Sequence, residues 1–417
     1  MRVLHLSTTD IRGGAARGAY WLHKALPETG IDSQMLVGRK YSNDDRIHQL
    51  NGTMAGASEW LRGVLDQLPL HYYRKTDDAF WTVGWAPRHL QQAIKIHKPD
   101  IIHLHWTGAG FLPIKSLSRL NYPIVWTLRD MWAFTGGCHY TAGCTRYQKC
   151  CGECPQLNSK NFNDLSRRIW RRKKDHWKDV DLCLVPISRW LAGCAQESQL
   201  FSETPIRVIP NGLDTKTFYP VPRDEARAAW GLDPTKQYIL FGALGALQDE
   251  RKGYRQLVDA IGHLASIHDT SRTELLVFGD LEQDAVSSFD IKARHLGHID
   301  DDEKLVQLYA AADIMVVPSL QEAFGKTLIE AMACGTGVVA FASGGPADIV
   351  IDRETGFLAR PFDPQDLAAG IAWSLASPER TAEIGRQARL RAEQEFDITV
   401  VARCYRDLYH SILEKTL

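Results

Sequence analysis

Short runs of consecutive apolar residues recur along this chain, each closed by a polar or glycine-bearing turn and followed by a helical pattern. In the first half they are VLHLS (Val3 to Ser7), SQMLVG (Ser33 to Gly38), DIIHLHW (Asp100 to Trp106), IVWTLRDMW (Ile124 to Trp132) and the start of DLCLVPISRWLA at Asp181. In the second half they are YILFGAL (Tyr238 to Leu244), LLVFGD (Leu275 to Asp280), ARHLGHI (Ala293 to Ile299), DIMVVPS (Asp313 to Ser319) and GVVAFA (Gly337 to Ala342). Runs without polar alternation read as parallel strands buried on both faces, and the helical patterns between them read as crossovers. One such pattern, RGGAARGAYWLHKAL, places Ala19, Leu22, Ala25 and Leu26 on one face behind a Gly13-Gly14 turn. The class is therefore α/β, with doubly wound sheets.

The alternation breaks once, at IRVIPNGLDTKTFYP (Ile206 to Pro220), where proline and glycine punctuation marks a boundary. After it the pattern restarts. A length of 417 residues also exceeds what one ordinary core holds. Two domains are expected, 1–205 and 206–394, with a closing helical stretch from Pro364 to Leu417.

Charge and composition narrow the function. A net charge of −1 lacks the basic face that a nucleic-acid footprint needs. No apolar run approaches the roughly 18 residues that span a bilayer. MRVLHLSTTD reads as a first strand rather than a secretory signal, so a cytoplasmic protein is expected.

The densest chemistry lies in Pro318 to Pro346. Lys326 to Cys334 carries Leu328, Ala331 and Met332 at helical spacing, Gly335 is the expected left-handed stop, and the helix starts near Gly325. Unpartnered first-turn amides and the helix dipole favour an anion there, most naturally a phosphate. Glu322 stands before the helix and Glu330 inside it. This Glu-x7-Glu spacing, with Phe324 and Gly325 between, resembles that of retaining glycosyltransferases with the GT-B fold, in particular glycosyltransferase family 4. The PNG of the linker resembles that family's as well.

The resemblance implies two Rossmann-like domains facing across a cleft, the last helix crossing back to the first domain from about residue 395. It implies a nucleotide-sugar donor, UDP- or GDP-linked, and a glycan or lipid-linked acceptor, in exopolysaccharide or cell-surface glycan assembly with retention of anomeric configuration. Glu322 would contact the donor sugar and Glu330 the ribose. Lys252 and Arg251, with the amides from Phe324 through Gly325 and Lys326 to Thr327, would meet the phosphates, so that no catalytic metal is needed. His298, with Ile299, falls where the family has its base-binding loop. Gly13 and Gly14 would face the donor phosphates, and Gly344 and Gly345 would keep a turn close.

His105 and Asp130 end their strands where open α/β sheets bind ligands. His105 lies in a His-x-His pattern similar to the family's. The chain departs from that family in having Arg129 where relatives carry histidine before Asp130. It departs again at Gly245 and Ala246, where an arginine is usual.

Five of nine cysteines fall between Cys138 and Cys154. In Gly136 to Leu157, Cys138, Cys144, Cys151 and Cys154 suit a tetrahedral structural zinc, with Cys150 left over; disulfides and free thiols are the other two readings. A similar insert occurs in a bacterial exopolysaccharide branch of family 4. Two further segments bear on partners. Trp60, Tyr72, Tyr73, Phe80, Trp81 and Trp85 either line an acceptor groove, touch a membrane surface or pack an insertion onto the domain. The basic stretch Ser166 to Asp179 suits anionic headgroups or a solvated helix, which leaves peripheral association at the inner membrane face open. The alternatives to a transferase are a GT-B sugar-nucleotide epimerase and a non-catalytic nucleotide-sugar-binding protein.

Overall fold

The structure, a computed structural model, describes residues 1–50, 55–75, 80–86, 88, 90–242, 247–279 and 283–415. Ala243, Leu244, Gly245, Ala246 and Asp280 lie outside the described residues. The chain divides into two compact units, Met1–Gly212 with Val401–Leu417, and Leu213–Val400.

The first unit holds a parallel sheet of β1 (Arg2–Thr9), β2 (Asp32–Arg39), β3 (Ile47–Gln49), β4 (Ile101–Leu104), β5 (Ile124–Leu128) and β6 (Leu182–Pro186), in the order β3-β2-β1-β4-β5-β6. Strands β4, β5 and β6 are buried along their whole length, as their unbroken apolar character requires. The register of β1 on β4 sets His5 beside His103. Gly13, at φ +90°, opens the helix Gly14–Ala25, whose Ala19 packs on Met35, Val37 and Ile47. A second helix, Leu165–Trp177, is capped by Asp164 and buries Ile169, Trp170 and Trp177, while Arg168, Arg171 and Lys174 face solvent. Tyr405 and Tyr409 from the returning segment reach into this unit, where they meet Thr127 and His103 at 2.7 Å each.

The second unit repeats the plan. Its strands are β7 (Gln237–Gly242), β8 (Thr273–Phe278), β9 (Lys292–His295), β10 (Ile314–Val317), β11 (Gly337–Phe341) and β12 (Gly356–Ala359), all parallel, in the order β12-β11-β10-β7-β8-β9. Ile239, Phe241, Leu257, Ile261, Val316 and Val339 lie in its core. The run ARHLGHI is a strand only to His295. Gly297, at φ +73°, turns the chain away, so His298 and Ile299 lie in a loop. Beyond Pro364 the closing stretch is several helices, Pro364–Ser374, Pro378–Arg391 and Ile398–Leu413, separated where Pro378 starts a new helix and a short π-turn spans Ala392–Phe396.

Candidate functional site

In the second unit the segment from β10 to β11 forms strand, loop, helix and strand in turn. The helix runs Lys326–Ala333, with Gly325 at φ +104° before it and no side chain capping its N-terminus. The positive end of its dipole is therefore expressed at the first-turn amides of Lys326 and Thr327. Gly335, at φ +78°, ends it.

The loop in front of this helix is held by backbone packing that only glycine allows. The Gly345 N–H donates to the Glu322 carbonyl at 2.8 Å. A Cβ on Gly344 would lie 2.4 Å from that same oxygen, and one on Gly345 2.4 Å from Phe324 Cα. Gly253, at φ +70°, approaches Pro318 so closely that a Cβ there would stand 1.8 Å from its carbonyl oxygen. Lys252 and Glu322 are brought together from two loops in this way.

Lys252 Nζ lies 2.9 Å from Glu322 Oε2, and both side chains remain partly open to solvent. Burial opposes ionisation of Glu322. The Lys252 ammonium outweighs it, with help from Arg251 and the Phe324 N–H, and holds the carboxyl below the usual range. Arg251 itself is forked onto Asp249, at 2.9 Å and 2.7 Å. Glu330 is buried; its Oε2 accepts from Tyr309 OH at 2.9 Å and its Oε1 lies 2.8 Å from Lys326 Nζ. His298 is half-exposed and pairs with Asp300 at 2.6 Å. Glu322, Lys252, Arg251, Phe324, Gly325 and Lys326 thus share one corner of the unit, whereas Glu330 points into the packed side of its helix.

In the first unit, His105 is buried and meets His5 at 2.8 Å, Nε2 to Nδ1. His103 spends both ring nitrogens on Tyr409 and Thr127, at 2.7 Å each. Burial, then neighbouring cationic groups including Arg129, holds all three imidazoles well below 6.5. Arg129 is partly buried, and that burial lowers its pKa to about 10. It donates to Asn211 Oδ1, and its guanidinium would clash with a Cβ at Gly18.

Asp130 is engaged through both of its oxygens. Oδ1 accepts from the Trp132 N–H at 2.9 Å, while Oδ2 accepts from Trp106 Nε1 at 3.0 Å and His139 Nδ1 at 2.7 Å. Burial opposes its charge, but His139 and these hydrogen bonds prevail and lower its pKa. His139 Nε2 in turn meets Thr82 Oγ1 at 2.8 Å. Asp130, His139, His105 and Trp106 line one small cavity of about 10 Å³. Gly13 and Gly14 lie at the start of their helix, with open space where a Cβ would be.

Sequence reasoning missed Tyr309, Asp249, His5 and His139 as partners of the residues it named. His139 left a signal in the GCHY beside the cysteines, and Asp249 stands two residues before Arg251; Tyr309 and His5 are joined to their partners by topology alone. The aromatics of residues 52–90 divide. Trp81 is buried and donates to Gln156 Oε1 at 2.9 Å, and Tyr73 OH accepts from the Leu165 N–H at 3.0 Å. Trp60 and Tyr72 are exposed, at 63% and 91%. Among the described residues no helix is long and apolar enough to cross a membrane.

Comparison with known proteins agrees with this architecture half by half. Residues 12–217 match the family described as Glycosyltransferase Family 4, and residues 222–391 match Glycosyl transferases group 1. A D-inositol 3-phosphate glycosyltransferase of Rhodococcus erythropolis is 33% identical over 319 residues, covering 71% of this chain and 65% of that protein. Its namesake in Segniliparus rotundus is 37% identical over 191 residues, covering 43% and 41%. The alignments thus span about half the length of such curated relatives. Among solved structures, the sucrose-phosphate synthase of Thermosynechococcus elongatus superposes with a TM-score of 0.70 at 23% identity, over 100% of both chains. Anabaena HepE in complex with UDP and glucose superposes at 0.66 and 19% identity, over 99% of this chain and 100% of that one. The fold is that of GT-B glycosyltransferases, and both halves of the chain are similar to glycosyltransferase domains.

Proposed function

We propose that this protein transfers a sugar from a nucleotide-sugar donor, UDP- or GDP-linked, to a hydroxyl of a glycan or lipid-linked acceptor, with retention of anomeric configuration. The observation that carries this reading is the Lys252–Glu322 pair, partly open and 2.9 Å apart, set in front of an uncapped helix N-terminus. Breaking the bond between the anomeric carbon and the phosphate oxygen builds negative charge on the diphosphate while the sugar carbon turns cationic. Lys252 and the first-turn amides of Lys326 and Thr327 supply fixed positive charge on the leaving-group side. Preorganised donors of this kind are worth about 3 kcal/mol each. Glu322 supplies an acceptor for donor-sugar hydroxyls beside the carbon that becomes cationic.

Retention follows if the acceptor oxygen bonds to the same face that the phosphate leaves. The leaving phosphate oxygen then takes the acceptor proton, and no second protein carboxylate need act as nucleophile in the manner of a retaining glycosidase. Arg251, forked onto Asp249, can swing to the phosphates only by giving up that pair. Glu330 can reach ribose hydroxyls only when Lys326 releases it. His298, Gly13 and Gly14 are assigned to the nucleotide and its phosphates, and His105 and Asp130 to the acceptor side. The setting is the cytoplasmic side of the membrane in exopolysaccharide or cell-surface glycan assembly, with any membrane contact peripheral.

A thermal-shift screen tests the donor reading. A ligand at 100 times its Kd stabilises the native state by about 2.7 kcal/mol, so one class among UDP-, GDP-, dTDP- and ADP-sugars should raise the melting temperature by several degrees. If none does so at millimolar concentration, the donor site is not there. The anomeric proton coupling of the product then decides retention, with glycan, lipid-linked and inositol phosphate acceptors offered in parallel.

A further inference from the structure

Cys138, Cys144, Cys151 and Cys154 line one small cavity of about 20 Å³, walled also by Trp81 and Tyr147. That is room for about one water-sized sphere. The cysteines arrive there from different turns. Cys138 pairs with Trp81 in an isolated antiparallel bridge, Cys144 closes a turn on the Thr141 carbonyl at 3.0 Å, and Cys151 and Cys154 flank a two-residue knuckle. Cys151 and both residues of that knuckle, Gly152 and Glu153, have positive φ, at 53°, 105° and 44°. Left-handed conformations at non-glycine residues cost about 1–3 kcal/mol each and persist where something else requires them.

Burial pushes the Cys138, Cys151 and Cys154 thiols up, and backbone donors and basic side chains lie around their sulfurs. The N–H groups of Leu157 and Gln156 donate to the Cys154 sulfur, and that of Gly136 donates to Cys151. The ammonium of Lys173, fully buried in the first unit, neighbours Cys138 and Cys151. Arg146 neighbours Cys144 and Cys154. Carbonyls of Trp132 and Thr135 accept from Lys173, the Trp132 ring lies 4.1 Å from its Nζ, and Asp130 is a further neighbour, while burial lowers the Lys173 pKa to about 7. Cys150 is set apart: its sulfur accepts from Arg167, and it does not line the cavity.

We propose that Cys138, Cys144, Cys151 and Cys154 bind one zinc ion in a structural tetrathiolate site. Binding exchanges four S–H protons for four Zn–S bonds and leaves a net charge of −2 on the site, beside Lys173 and Arg146. All nine cysteines carry free thiols in this structure. With Zn–S bonds of about 2.3 Å the sulfurs of a tetrahedral site lie about 3.8 Å apart. Among the described residues the one trio of metal-ligand atoms mutually within 4.8 Å is His5, His103 and His105, so the thiols must draw together on the ion. That histidine trio is the poorer site, because His103 has both nitrogens engaged and Arg129 adds positive charge. The zinc would pin the loop carrying His139, the residue next to Cys138 and a partner of Asp130.

The test is metal analysis of the full chain purified without chelator. About one zinc per chain is expected, released by a mercurial reagent, and cobalt exchanged into the site should show intense sulfur-to-metal charge-transfer absorption. Cys144→Ser and Cys154→Ser should each lose the metal, whereas Cys150→Ser should keep it. If a variant fails to fold, treating the wild-type protein with a strong chelator replaces it and should lower the melting temperature by several degrees. Three results would overturn the proposal: no zinc bound even after incubation with zinc chloride under reducing conditions, an intact mass lower by 2 or 4 Da that marks disulfides among these cysteines, or full zinc occupancy in Cys144→Ser and Cys154→Ser alike.

Discussion

Lys252 Nζ lies 2.9 Å from Glu322 Oε2, bridging two loops of the second unit that are seventy residues apart in sequence. Neither side chain is buried deeply enough for this pair to be merely a core contact. Lys252→Ala should lower kcat/KM by about 100-fold or more, the range found when one preorganised donor is removed, with the melting temperature within a few degrees of wild type. Steady-state kinetics with the donor identified by thermal shift checks this. A variant as active as wild type would remove Lys252 from the leaving-group side.

Gly344→Ala probes the same loop from behind. The new Cβ would meet the Glu322 carbonyl at 2.4 Å, at a φ of +67°. The loop must move, and a misplacement of about 1 Å at a reacting group costs about 100-fold in rate. The expected result is a kcat loss out of proportion to the change in urea midpoint. Equal losses in both would mean that the glycine matters for folding alone.

Acid should destabilise the protein in two separate windows. His5, His103 and His105 are held well below 6.5 by burial first, while in the unfolded chain they titrate near 6.5. Below that pH the unfolded state binds protons that the folded state refuses. Stability should therefore be level above about pH 7 and fall by about 1.4 kcal/mol per pH unit for each histidine below pH 6.5. Urea midpoints at pH 7.5, 6.5 and 5.5 measure this. No decline between the last two would mean the cluster takes up protons when folded.

Glu322 has the opposite chemistry. Its folded pKa is depressed, so its pairing stabilises the native state above the unfolded carboxyl value of about 4.3. That contribution is lost as pH falls through the lower folded value. The stability difference between wild type and Glu322→Gln should stay constant from pH 8 to pH 5 and close only in stronger acid. A difference that vanished near neutrality would contradict the ion pair.

Asp130→Ala leaves Trp106 Nε1, His139 Nδ1 and the Trp132 N–H without their acceptor. Breaking a buried charged partnership costs about 3–5 kcal/mol. A loss of that size in unfolding free energy is expected by urea denaturation, and a loss below about 1 kcal/mol would show that water replaces the carboxylate.

By itself the sequence determined the two α/β halves, because an unbroken apolar run such as IMVV or LCLV can be satisfied only in a strand covered on both faces. It determined the helix at Lys326 and its glycine limits for an equally local reason, since Gly325 and Gly335 hold backbone angles that side chains disfavour. It also marked Glu322, Lys252 and the cysteines as chemistry. What only tertiary structure decided is which of these groups touch. Lys252 finds Glu322 because β7 and β10 are neighbours in the sheet. Arg251 is tied to Asp249, Glu330 to Tyr309, and Asp130 to His139. Each of these pairings depends on chain paths brought together in space or on rotamers chosen by packing, and neither is written in the local periodicity of the residues themselves.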